Sequence, residues 1–160
     1  MIEQRSGNLR TTIDPGLVED DILLKGGEPR LHVYRKLATG YEAVAQRSLV
    51  RQGDRLQIRY VVSEDVYGAI VSIDGRMQLT QHLPVSSAAK SDQAVRLTRG
   101  REVALPQSYQ LDDAPQFERF FFLTSAEPFL ISEALTHLAG GQELPSRVES
   151  IQISTFEVRK

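Results

Sequence analysis

The sequence predicts a mainly β chain: an antiparallel β-sandwich, Ig-like or jelly-roll-like, with one short helix near residues 130–139. Three observations carry that prediction. Apolar and polar residues alternate along most of the chain, as half-buried strands require. Turn-forming residues recur about every eight to twelve positions, the spacing of short sandwich strands. A helical period is readable in one late segment and is followed by a glycine pair.

The elements follow in order. DILLKG (21–26) reads as an early strand and RLHVYRK (30–36) as the next. ATG is a turn, and YEAVA (41–45) returns as a short strand. Gly53-Asp54 marks another turn. RLQIRYVV (55–62) places Leu56, Ile58, Tyr60 and Val62 on one face and Arg55, Gln57 and Arg59 on the other. VYGAIVSID (66–74) follows after SED, with Tyr67, Ala69, Val71 and Ile73 in phase. Asp74-Gly75 is a hairpin dipeptide leading into RMQLTQHL (76–83). Residues 55–83 therefore read as a three-stranded meander. AVRLTR (94–99) and REVALP (101–106) are short extended pieces beyond a loop at 84–94. ERFFFLTS (118–125) has large apolar groups on both faces, Phe120 and Phe122 against Phe121 and Leu123, so it belongs in the middle, covered on two sides. FLISEALTHLAGG (129–141) is the helix, with Ile131, Leu135 and Leu138 on one face, Ser132 as N-cap and Gly140-Gly141 as its stop. SIQISTFEVRK (150–160) is the last strand, and the shift of its apolar phase between Ile153 and Phe156 predicts a bulge.

Composition narrows the chemistry. With 160 residues, 41% apolar and 25% charged, the chain can bury one proper core. Residues 1–20 read as a polar segment expected to follow a membrane anchor in a parent protein, and residues 21–160 as one sandwich domain. The absence of cysteine excludes disulfides, thiolate nucleophiles and sulfur-ligated metals. A net charge of −2 and dispersed arginines give no nucleic-acid footprint. His32, His82 and His137 lie on separate elements without ligand spacing and read as structural or surface groups. Ser48, Ser72 and Ser108 have no nucleophile-elbow context. KGGEP (25–29) lacks the rest of a phosphate-binding loop. No cofactor is expected.

LDDAPQFERFFF (111–122) is the most pointed stretch. Asp112 and Asp113 could serve as a catalytic or cation-binding pair, but no further oxygen ligands follow at fixed spacing. A hydrolase using Asp112, Asp113 or Glu118 also requires a cleft with a polarised partner. The turn reading needs no missing group. An aspartate side chain bonds a backbone N–H two residues on, and Pro115 excludes helix and holds its predecessor extended. Glu118 and Arg119 point to opposite faces, each toward a cross-strand partner, and Phe121 joins the core. Tyr109 is expected to bond a loop backbone, as corner tyrosines do. Tyr109, Asp112, Asp113, Pro115, Glu118, Arg119 and Phe121 thus form a turn-and-core motif rather than an active site.

Four blocks carry a family resemblance: LKGGEPRLHVYRK, GDRLQIRYVVSEDVYGAIVSIDGRMQLTQHLP, LPQSYQLDDAPQFERFFFLTSAEPF and STFEVRK. Together, over roughly residues 22–160, they resemble a bacterial domain-of-unknown-function family found as the extracytoplasmic part of single-span, anti-sigma-factor-like membrane proteins. YQLDDAPQFERFFF is the most specific block. The resemblance implies a non-enzymatic sensory or protein-interaction domain in the periplasm or outside the cytoplasm, with a protein partner in the cell envelope. Its membrane link would run through the N-terminal anchor alone. It brings no catalytic residues. The alternative is a small-ligand or carbohydrate-binding module that uses Tyr41, Tyr67 and Tyr109, which requires these rings to line one concave surface.

Overall fold

Alternation along the chain becomes two antiparallel sheets in a computed structural model, which describes residues 27–85, 90–139, 147–148 and 150–160. The expected strand at 21–26, the polar segment 1–20 and the Gly140-Gly141 stop lie outside the described residues. The first sheet contains β1 (Arg30–Lys36), β2 (Tyr41–Val44), β3 (Arg55–Val61), β7 (Val103–Ala104) and β8 (Tyr109–Gln110). Its order is β2-β1-β3-β7, with β8 also on β3. The second contains β4 (Val66–Asp74), β5 (Leu79–Leu83), β6 (Val95–Leu97), β9 (Phe117–Ser125), β10 (Arg147–Val148) and β11 (Ile151–Arg159). Its order is β10-β11-β9-β4-β5, with β6 also on β4. Helix α1 spans Ile131–Ala139.

Two cores hold these layers. Between the sheets, Leu31, Val33, Leu56 and Ile58 meet Ile70, Phe120, Phe122, Phe156 and Val158. On the outer face of the second sheet, Ala69, Val71, Phe121, Leu123, Ile151 and Ile153 meet Ile131 and Ala134 of the helix. The mainly β sandwich, with one helix among the described residues, is therefore as the sequence predicts, and β9 is covered on both faces. Each large side chain buried this way contributes roughly 1.5–3 kcal/mol.

Four local expectations are corrected. The meander over 55–83 does not exist, because β3 belongs to the first sheet and β4 to the second. The SED link crosses between layers, and Ala69 and Val71 face the helix while Ile70 faces the sandwich interior. The hairpin after β4 is not built on Asp74-Gly75 as its two central residues. Asp74 closes a longer loop, accepting from Met77 N and donating to Gln78 O, and Met77 takes the positive φ of 63°. Gly75 is required for another reason: a Cβ there would lie 1.8 Å from the Pro115 carbonyl oxygen. Ser132 is not the helix N-cap. It lies in the first turn, and the cap is Asp92, whose carboxylate accepts from Ser132 N at 2.9 Å and whose carbonyl accepts from Ile131 N at 2.8 Å. Finally, β11 pairs with β9 without interruption from Gln152 to Arg159. Its apolar phase shifts because Ile151 and Ile153 lie under the helix whereas Phe156 and Val158 face the other sheet. The register shift in this sheet falls instead between β4 and β5, where His82 is the extra residue.

One further feature shapes the sandwich. After β2 the chain leaves the first sheet, and residues 47–50 hydrogen-bond along the end of β11 through Arg47 N, Val50 N and the Ser48 carbonyl. That segment ties the two sheets together on one side.

Candidate functional site

The inner face of β9 begins with a carboxylate. Glu118 is fully buried, opposite Asp74 on one side and Val158 on the other. Its burial is tolerated because polar groups converge on it. Ser72, from the neighbouring strand, donates to Glu118 Oε2 at 2.8 Å, and Tyr109 donates to the same oxygen at 3.2 Å. Glu118 Oε1 accepts no hydrogen bond and faces the Lys160 ammonium at 3.5 Å. His82 completes the group with Nε2 2.8 Å from Ser72 Oγ. The Ser72 proton goes to Glu118, so His82 Nε2 carries a proton and donates to Ser72 Oγ. The bulge at His82 turns its ring inward, against Tyr109 edge-on at 4.8 Å and Phe120 at 5.5 Å.

Burial governs the ionisation of this cluster. It lowers His82 to about 4, so the imidazole is neutral at physiological pH. It raises the Glu118 carboxyl, against the opposing pull of Ser72, Lys160 and Tyr109. Burial, reinforced by the Glu118 charge, pushes the Tyr109 phenol up to about 12. His82 and Tyr109 line a cavity of about 200 Å³ together with Thr80, Leu105 and Gln107. The trio differs from a hydrolytic triad in order. The serine stands between the histidine and the carboxylate, and its hydroxyl is fully buried. This arrangement can hold a small ligand at the imidazole and phenol; it does not present an activated nucleophile.

The predicted motif residues divide between this cluster and the surface. Asp112 accepts from Ala114 N at 3.0 Å, the turn bond expected two residues on, and that bond holds its carboxyl below the usual range. Asp113 is exposed and pairs with Arg76 at 2.8 Å. Pro115 supplies the carbonyl that Gly75 approaches, and the same carbonyl accepts from Phe117 N at 2.9 Å. Arg119 finds its cross-strand partner in Glu157 at 3.4 Å. Phe121 is buried under the helix. Tyr109 departs from expectation, because its hydroxyl bonds the Glu118 carboxylate rather than a loop backbone. The three carboxylates Asp112, Asp113 and Glu118 are not brought to one cleft: two are exposed and one is buried.

The three tyrosines are also separated. Tyr41 stands on the outer face of the first sheet near Arg59, Tyr67 on the outer face of the second beside Arg96, and Tyr109 between the sheets. What the outer face of the first sheet does assemble is a second polar cluster. His32, Tyr34 and Arg59 all reach Glu102, and the Arg59 guanidinium lies 3.9 Å from the centre of the Tyr34 ring and 5.5 Å from that of Tyr41. Burial works to raise Glu102, but the His32 and Arg59 bonds outweigh it and hold the carboxyl below its usual range. No group of His, Asp and Glu suited to a metal ion occurs among the described residues.

Ser72 and His82 carry no catalytic spacing in the sequence and Lys160 carries no local signal; only the cross-strand register joins them. The outer-face cluster left one readable trace, since His32 and Tyr34 alternate on one strand as Gln57 and Arg59 do on another. Comparison of the chain with family models, curated proteins and solved structures finds no match.

Proposed function

We propose that the chain is a non-enzymatic sensory or protein-interaction domain that works on the extracytoplasmic side of a bacterial membrane, with the outer face of its first sheet as the contact surface. One observation carries the reading: Arg59 lies over Tyr34 and near Tyr41 on a sheet face that no described helix or strand covers. Tyrosine and arginine on a rigid, half-desolvated surface are the residues on which protein contacts concentrate their energy. Lys36, Arg55 and Arg59 share this face with the carboxylate of Glu102, so the partner it suits is a protein presenting an acidic segment. The adjacent β2 is an edge strand, which adds main-chain groups for the same partner.

Site-specific photo-crosslinking in cells tests this. A crosslinker at Tyr41 should capture a defined partner, Arg59→Glu should abolish the capture, and a crosslinker at Tyr67 should not reproduce it. Capture that survives Arg59→Glu, or appears equally at Tyr67, sinks the proposal. Recovery of the native protein from the cytosolic fraction removes the extracytoplasmic part of it.

The small-ligand alternative retains one supporting observation, the cavity of about 200 Å³ at His82 and Tyr109. Its carbohydrate form has less support, because Tyr41, Tyr67 and Tyr109 stand on three different faces.

A further inference from the structure

Past the residues that the helix covers, the outer face of the second sheet changes from apolar to cationic. There Arg119, Glu157 and Arg159 of β9 and β11 meet Arg47 of the segment that ties the sheets together, and Lys160 follows directly. These side chains and Gln116 line an open concavity of about 600 Å³. Among the lining residues, three arginines accompany one carboxylate, Glu157, while the charge of Lys160 is met by Glu118 and Asp112. In a chain of net charge −2, this is a local surplus of positive charge, which a concave wall focuses.

The internal pairing leaves the arginines available, whereas the buried Lys160 ammonium is taken up by Glu118 and Asp112. Glu157 accepts from Arg119 through Nε at 3.4 Å and pairs with Arg159 through Nε at 3.1 Å. Each arginine thus uses its inner nitrogen on the glutamate and keeps both terminal nitrogens. Arg47 makes no ion pair among the described residues. Its backbone is held at a φ of 65°, left-handed for a non-glycine residue, by a bond from its N–H to the Glu157 carbonyl at 2.7 Å. Gln116, another lining residue, has a φ of 77°, and its carbonyl accepts from Lys160 N at 2.9 Å. Two unfavourable backbone conformations border one basic hollow, and strain of this kind collects at functional positions.

We infer that this concavity binds a phosphoryl group, with Arg47, Arg119 and Arg159 as its hydrogen-bonding walls. The guanidinium fork matches the tetrahedral oxyanion through paired N–H bonds, and several arginines with unused terminal nitrogens supply more donors than a single carboxylate ligand would fill. The site is separate from the surface proposed for the protein partner, which lies on the other sheet.

The test is a titration of the intact chain with inorganic phosphate, followed by NMR of the arginine side chains and backbone amides at constant ionic strength, with chloride as control. The expected result is a saturable shift confined to Arg47, Arg119 and Arg159, weakened at least tenfold by Arg47→Ala. The Arg47 side chain makes no ion pair among the described residues, so this variant should fold as the parent does, and an unchanged spectrum elsewhere verifies that. A parallel arm uses vesicles of phosphatidylcholine with and without phosphatidate. Vesicle binding that needs phosphatidate, falls with Arg47→Ala and is displaced by free phosphate assigns the site to a lipid headgroup. Phosphate binding without vesicle binding assigns it to a soluble phosphorylated ligand. No saturable shift with either probe, an equal response to chloride, or full affinity in Arg47→Ala overturns the inference.

Discussion

Burial decides how His82 behaves on acidification. Its folded pKa is lowered to about 4, below the value of about 6.5 in an unfolded chain. The unfolded state therefore takes up the proton first, and stability falls as pH drops from 6.5 toward 4, by up to about 3 kcal/mol. Glu118 acts in the opposite sense. Its pKa is raised on folding, so its favourable contribution is complete below the unfolded value and is lost as pH rises through the folded one. Denaturant melts at a series of pH values should show the wild type weakening across that window and His82→Gln losing much less, because the opposing Glu118 contribution remains. A variant as acid-sensitive as the wild type would place the titrating group elsewhere. Residue-scale sterics make a second prediction at the hairpin. Gly75→Ala drives a methyl into the Pro115 carbonyl and should cost about 1–3 kcal/mol. Met77→Gly relieves a left-handed residue that is 70% exposed and should gain about 1 kcal/mol. Equal and opposite effects of the two changes on the thermal midpoint are not expected; a stabilising Gly75→Ala would show that the close approach can relax.

At the scale of the element, the helix depends on a residue remote in sequence. Asp92 satisfies two of the first free N–H groups of α1 and also takes the Ser132 hydroxyl at 2.8 Å. Asp92→Ala should destabilise the protein by about 1 kcal/mol, with accelerated amide exchange in Ile131–Ala139 before the strands open. Ser132→Ala keeps the backbone bond to Asp92 and should cost less. A larger loss from Ser132→Ala would restore serine as the working cap. The sequence shows a serine at the right distance from a helical period, and that local signal points to the wrong residue because the true cap arrives through tertiary folding. β11 teaches the same lesson in another form. Its apolar residues change phase because its two halves face different neighbours, which periodicity alone reads as a bulge.

For the molecule as a whole, the Glu118–Lys160 pair joins the strand at the centre of the second sheet to the end of β11. The Lys160 side chain is only 6% exposed and Glu118 is 1% exposed. Lys160→Met leaves a buried carboxylate without its counter-charge and should cost about 3 kcal/mol. Adding Glu118→Gln should recover much of that loss, since a neutral amide needs no cation and can still accept from Ser72 and Tyr109. If the double variant is no more stable than Lys160→Met, the two groups are not energetically coupled.

The sequence by itself determined that this chain builds strands, where most of them run, that ERFFFLTS is buried on two faces, and that Asp112 forms a turn. Those features are local, set by alternation, by turn chemistry and by side-chain size within a few residues. Tertiary structure alone decided that β3 and β4 part into different sheets, that Asp92 caps the helix, and that Ser72, His82, Tyr109 and Lys160 gather around Glu118. Each of these rests on cross-strand register or on which layer a strand joins. A strand's alternation records that one face is buried, and it carries no mark of what buries it.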